Sequence, residues 1–274
     1  DKHYVVEKIG KSLETNTPKY QILNKTTNLG GAGFVFKVLK SINKKNLLFL
    51  TKNNKNQYLN KDKNIIEINS NEKNIIKNRY WFKEKKILQL NDDNLKKTIN
   101  EKKILNKLKS VLKKYNINKI IVSDYNHGVI FQKLVDYICD YCKKNKILLF
   151  VDSQIRNVSE IKNFEHVDYF FMNNKEKEIY FKKYNIKNLN ELITKQNFKN
   201  IILKKGKFGI SIFGKNNFNI KGLKGKKIID EAGAGDTLLA FFCHLIEKEN
   251  INLVLKKSNK EAYKMITERK KYVW

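Results

Sequence analysis

Proline and arginine are nearly absent from this chain of 274 residues, which holds one proline (Pro18) and three arginines (Arg79, Arg156, Arg269). With no proline- or glycine/serine-rich linker, it is expected to form one large α/β domain with a small appendage rather than a string of modules. The scarcity of arginine bears on the net charge of +30. A surface built to grip nucleic acid phosphates would cluster its charge and favour arginine for bidentate contacts. Here the basic residues are almost all lysines, scattered among Asn and Ile along the whole chain. That pattern argues against a specific nucleic acid partner and leaves weak, salt-sensitive polyanion binding as its consequence.

Cysteine is also sparse. Cys139, Cys142 and Cys243 are too few for a disulfide framework. Cys139-x-x-Cys142 lies in a helical pattern with Leu134, Val135 and Ile138, and His3, His127, His166 and His244 show no zinc-ligand spacing, so buried reduced thiols are expected. No apolar run approaches the ~18 residues that span a bilayer, and no secretory signal opens the chain, so a cytoplasmic location without membrane attachment is expected.

Glycine is concentrated where it matters. Asp230-Glu231-Ala232-Gly233-Ala234-Gly235-Asp236-Thr237 places a glycine turn and a carboxylate before Leu238, Leu239, Phe242, Leu245 and Ile246, which recur at helical spacing. The first N–H groups of a helix have no internal acceptor and form an anion site, and a first-turn carboxylate can take a proton from a hydroxyl held nearby. By position alone the stretch also fits a plain helix start with a favourable first-turn Asp. A second glycine turn, Gly30-Gly31-Ala32-Gly33, feeds Phe34, Val35, Val38 and Leu39, and by itself fits a tight turn before a packed helix equally well.

From about residue 100, apolar strands alternate with helical patterns, which predicts βα units and a mostly parallel sheet. The segments 119–123, 147–151, 167–171 and 201–204 run into Asp124, Asp152, Asn173 and Lys205-Gly206. In open parallel sheets ligands bind beyond such carboxyl ends. Earlier, 20–25, 65–69, 74–82 and 86–90 read as antiparallel segments of a small flap.

The window from Asp230 to Asp236 resembles the Asp-Thr-x-Gly-Ala-Gly-Asp signature of the ribokinase (PfkB) family of carbohydrate kinases, with Ala232 where Thr is common before the glycine. The resemblance implies a ribokinase-like three-layer α/β sandwich with a mostly parallel central sheet and a small antiparallel β lid, its segments within about 3–27 and 64–91. It implies Asp236 as catalytic base and Gly233, Ala234 and Gly235 as the anion hole. Within the family the chain is most similar to the heptose 7-phosphate kinase domain of the enzymes that make ADP-heptose. Gly30-Gly31-Ala32, Lys77-Asn78-Arg79 and Ser123-Asp124-Tyr125-Asn126-His127-Gly128 carry that likeness, and Asp1, Glu14 and Pro18 fit the opening pattern. The likeness also implies a first core strand ahead of Asp1 and an end slightly beyond Trp274.

By the same resemblance Asp1, Gly30, Gly31, Arg79 and Asp124 face the sugar, and Asn173 with Glu176 organises magnesium and phosphate through water. As sequence, Asn173-x-x-Glu176 is equally a capping box. Lys204, Gly206 and Gly209 resemble the turn beneath the nucleotide, and Asn259 a residue lining the adenine pocket. ATP and Mg2+ are the implied cofactors, a sugar or sugar phosphate the substrate, and a homodimer the assembly. Three departures fall on the substrate half: Phe34 for Asn, His127 for Lys, and Asp152-Ser153-Gln154 for Asp-Pro-Lys. With Ala232 they motivate an alternative, a sugar- or nucleotide-binding protein on the same fold without turnover.

Overall fold

The computed structural model describes residues 1–43, 47–53, 62–69, 75–83, 85–92, 100–215 and 217–268. Its centre is a six-stranded sheet built from β7 (Lys119–Asp124), β8 (Leu148–Ser153), β9 (Tyr169–Asn173), β10 (Asn200–Lys204), β11 (Ile210–Gly214) and β12 (Phe218–Ile220), in the order β12-β11-β10-β9-β8-β7. The four strands β7 to β10 run parallel, and β11 and β12 close the edge antiparallel. The parallel strands are continuous apolar runs because both of their faces are covered.

Successive side chains of a strand alternate in face, and the two cores follow that alternation. Leu149, Val151, Phe170, Met172, Ile201 and Leu203 pack with α2 (Glu101–Lys114), α3 (Gln132–Asn145), α4 (Asn174–Tyr184) and α5 (Leu189–Gln196). Phe150, Phe171 and Ile202 pack on the opposite side with α1 (Ala32–Ile42), α6 (Ala234–Leu245) and α7 (Ile251–Glu268). The result is the helix–sheet–helix sandwich expected from the sequence. Cys139, Cys142 and Cys243 are buried free thiols within it, and burial pushes Cys139 to about 11 and Cys142 to about 12.

The flap is a four-stranded sheet of order β2-β1-β5-β6, from β1 (Lys2–Lys11), β2 (Pro18–Thr27), β5 (Ile76–Phe82) and β6 (Lys85–Asp92). It differs from expectation in two ways. Its inner pair, β1 and β5, is parallel. The segment 65–69 is not part of it: β4 (Ile65–Asn69) pairs parallel with β3 (Phe49–Asn53). The physical reason is Ile68, which is buried in the core with Ile104 of α2 and is unavailable to a solvent-facing flap. Asn74, the expected start of the next strand, lies outside the described residues, as does Arg269. The strand expected at 167–171 is observed at Tyr169–Asn173; Val167 and Asp168 precede it, and Asp168 Oδ2 accepts from the Leu149 N–H.

Candidate active site

The C-terminal ends of β7, β8, β9 and β10 carry Asp124, Asp152, Asn173 and Lys204 along one edge of the central sheet. Above that edge α6 begins. Gly233 precedes it with φ 85°, a left-handed conformation that glycine adopts without strain, and offers no side chain to cap the helix. A Cβ at Gly233 would lie 2.8 Å from Phe34 Cε1, so the turn packs closely against the Phe34 ring. The Ala234 N–H is engaged by the Glu231 carbonyl at 3.3 Å. Gly235 and Asp236 follow in the first turn, where backbone N–H groups lack an intrahelical acceptor.

Asp236 faces a cavity of about 220 Å³ lined also by Asp1, His3, Gly30, Gly31, Phe34, Lys77, Arg79, Tyr125, Gln154 and Met265. Its Oδ1 accepts a 2.6 Å hydrogen bond from the Tyr125 hydroxyl. Burial is the main cause that pushes its carboxyl up to about 6; Asp152 adds to the shift, while the Tyr125 bond, Lys204 and Lys77 oppose it.

Across the cavity Arg79 Nη1 pairs with Asp1 Oδ2 at 2.6 Å, and Arg79 Nε reaches Gln89 Oε1 at 3.3 Å. The Asp1 carboxylate lies against Gly30, where a Cβ would be 2.8 Å from its Oδ1. Thus Asp1, Gly30, Gly31 and Arg79 meet in one wall of the cavity. Asp124 does not join them. Its carboxylate accepts from the Asn126 N–H at 2.8 Å, from Ser153 Oγ at 3.2 Å and from Lys162 Nζ at 2.6 Å. Those partners consume it inside the fold, where it shapes the turn carrying Tyr125.

Behind the cavity Lys204 Nζ binds both carboxylate oxygens of Asp152, at 2.8 and 2.7 Å. Burial works against its charge, but Asp152 and then Glu176 outweigh burial and raise it above the ordinary lysine value. The ammonium is also 3.7 Å from where a Cβ on Gly235 would stand, just under the glycine turn. Asn173 and Glu176 form the full capping box of α4: Asn173 Oδ1 accepts from the Glu176 N–H, and Glu176 Oε2 from the Asn173 N–H. Burial raises the Glu176 carboxyl, and Lys204 opposes that rise.

Gly209 and Asn259 meet at the segment after β12. Gly209, at φ 93°, is so close to that backbone that a Cβ would be 2.0 Å from the Ile220 carbonyl oxygen, and Asn259 Nδ2 donates to the Lys221 carbonyl at 3.2 Å. Gly206 turns at φ 56° ahead of the exposed Phe208. Sequence reasoning gave no specific role to Tyr125, Lys77, His3 or Asp152, although Tyr125, Lys77 and Asp152 stand inside motifs it singled out. The flap also touches the signature itself, since Lys86 Nζ is 3.4 Å from Asp230 Oδ1.

A glycine turn and a carboxylate at the carboxyl edge of a doubly covered sheet, closed by a β flap, define the architecture of a small-molecule phosphotransferase. A family model described as "pfkB family carbohydrate kinase" matches residues 40–268, and the chain belongs to that family. Bifunctional protein HldE of Aliarcobacter butzleri (strain RM4018) is 29% identical over 206 residues, covering 71% of this chain and 42% of that protein. The chain therefore spans less than half of that relative's length. Among solved structures, phosphofructokinase-2 from Escherichia coli in complex with potassium shares the fold at TM-score 0.74 and 12% identity, over 99% of this chain and 92% of that one. Ribokinase from Thermotoga maritima does so at TM-score 0.65 and 20% identity, over 97% and 89%. Among the described residues, no helix is long and apolar enough to cross a membrane.

Proposed function

We propose that this protein transfers the γ-phosphoryl group of ATP to a hydroxyl of a sugar phosphate, heptose 7-phosphate or a close relative, with Asp236 as the base. The observation that carries the reading is the position of Asp236: on the first turn of α6, in the wall of the cavity that also holds Asp1, Gly30, Gly31 and Arg79. A sugar hydroxyl bound there meets the carboxylate on one side and the glycine turn on the other. Asp236 takes the hydroxyl proton as the oxygen attacks phosphorus, and the ADP oxygen leaves with the bonding electron pair. The Gly233 and Gly235 N–H groups, with Lys204 beneath the turn, stabilise charge on the transferring group, while the Ala234 N–H is held by the Glu231 carbonyl.

Lys204, Gly206 and Gly209 would hold the nucleotide, with Asn259 toward its base, as the family resemblance implies. Gly206 leaves open space for such a ligand, since a Cβ there would meet nothing within 4 Å, whereas Lys204 is shielded and paired with Asp152. Magnesium at such a site would be held mainly by the phosphates and water. Among the described residues no group of three His, Cys, Asp or Glu side chains could hold an ion, and Asp152 is already neutralised by Lys204. Asn173 and Glu176 are the residues that would organise a hydrated ion carried by the phosphates.

The heptose reading is supported by the Lys77-Asn78-Arg79 and 123–128 stretches and by the HldE relative. Lys77 and Arg79 on β5 supply cationic groups for a phosphorylated substrate. A homodimer in the cytoplasm is part of the same proposal. Exposed Ile22, Leu23, Leu88 and Leu90 on the flap sheet support self-association there. The test is ADP release by the full-length protein with ATP and magnesium across hexoses, heptoses and their phosphates. Release specific to heptose 7-phosphate is the expected result, and release with an unphosphorylated hexose alone would reject that substrate.

A further inference from the structure

Tyr125 stands directly after β7, in a turn fixed by the bonds of Asp124 to Asn126, Ser153 and Lys162. Three parts of the molecule converge on it. Its hydroxyl donates to Asp236 Oδ1 at 2.6 Å. Its ring packs on the turn entering α1, where a Cβ at Gly31 would lie 3.1 Å from two ring carbons. Lys77 of the flap strand β5 places its ammonium 5.5 Å from the ring centroid.

We propose that Tyr125 is a positioning residue for phosphoryl transfer: its hydroxyl fixes the Asp236 carboxylate by Oδ1 and leaves Oδ2 for the acceptor hydroxyl. Its ring ties that orientation to the Gly31 turn and to the flap, the two elements that receive the sugar. The inference rests on the reading of Asp236 as the base.

Hydrogen-bond donation favours the charged form of a carboxylate. The groups that bear on Asp236 are Tyr125, Asp152 of β8, Lys204 of β10 and Lys77 of β5, of which only Asp152 opposes ionisation, together with burial. Burial, then the charge of Asp236, pushes the Tyr125 hydroxyl well above its ordinary value. Tyr125 therefore remains a donor across the working range and does not relay the proton.

The test uses 13C-labelled aspartate in the full-length protein and follows the Asp236 carboxyl through pH, its resonance assigned by its loss in Asp236→Asn. Tyr125→Phe removes one donor, so the Asp236 midpoint is expected to rise by about one pH unit, and the acid limb of kcat/KM to move with it. Placing 3-fluorotyrosine at position 125 keeps the shape, makes a stronger donor and is expected to lower the midpoint. A midpoint unmoved by both changes, with Asp236→Asn inactive, overturns the role of Tyr125 alone. Turnover retained by Asp236→Asn overturns the assignment of the base instead.

Discussion

The Lys204 ammonium bridges both oxygens of Asp152 at 2.8 and 2.7 Å and so joins the ends of β10 and β8 across the intervening β9. The pair is mostly shielded, with side-chain exposures of 17% and 9%. It holds one positive charge under the glycine turn while Asp236 above it remains free of a direct ion pair with Lys204. Removing the cation leaves Asp152 uncompensated and takes away a charge that favours ionised Asp236.

Lys204→Met is therefore expected to cost roughly 3 kcal/mol of stability, the low end of the range for breaking a buried pair, because both partners keep some solvent. Denaturant unfolding reads this directly. Asp152→Asn placed on top of Lys204→Met is expected to recover part of the loss, and strictly additive losses would show that the two groups do not act as a pair.

Activity is expected to depend on pH through Asp236. Its folded value is raised to about 6, chiefly by burial. A base must be ionised to accept a proton, so kcat/KM should fall as pH drops through about 6 and level off above it. A limb near pH 4, the ordinary aspartate range, would mean that the acting carboxylate is not this buried one.

Arg79 uses two different nitrogens, Nη1 toward Asp1 and Nε toward Gln89. Lysine donates from one nitrogen and lacks the planar fork by which separate nitrogens span the two partners. Arg79→Lys is expected to raise the KM for the sugar about tenfold or more while leaving the KM for ATP near its original value. Steady-state kinetics with each substrate varied separately distinguishes this from a general loss of folding.

Gly209→Ala meets two obstacles, a φ of 93° and a Cβ 2.0 Å from the Ile220 carbonyl oxygen. The turn between β10 and β11 must separate from the 220–222 segment to admit the methyl group. A loss of about 3 kcal/mol or more is expected in thermal unfolding, and ATP binding should weaken, since Asn259 anchors the same segment at Lys221.

The parallel sheet was legible because its strands are uninterrupted apolar runs separated by amphipathic helices, a pattern that both faces of a covered strand impose. The glycine turns were legible for a related reason: at Gly233 a side chain would strike Phe34, and at Gly209 it would strike backbone. The flap was read less well. Ile65–Asn69 has the same local pattern as a flap strand, and only the burial of Ile68 against α2 decides that it pairs with Phe49–Asn53 instead. Sequence also could not separate Asp124 from the cavity, because the partners that occupy its carboxylate, Ser153 and Lys162, are distant in the chain. The Tyr125 bond to Asp236 spans 111 residues and has no local trace at all.

The most direct test of the account is sugar-dependent ADP release by the full-length protein beside its Asp236→Asn variant, at saturating ATP and magnesium with the best acceptor from the sugar panel. Asp236→Asn is expected to bind ATP as the original protein does and to lose turnover by about 10²–10⁴-fold, the contribution of a positioned base. Turnover within a few-fold of the original would contradict the account, because it would place the base somewhere other than the first turn of α6.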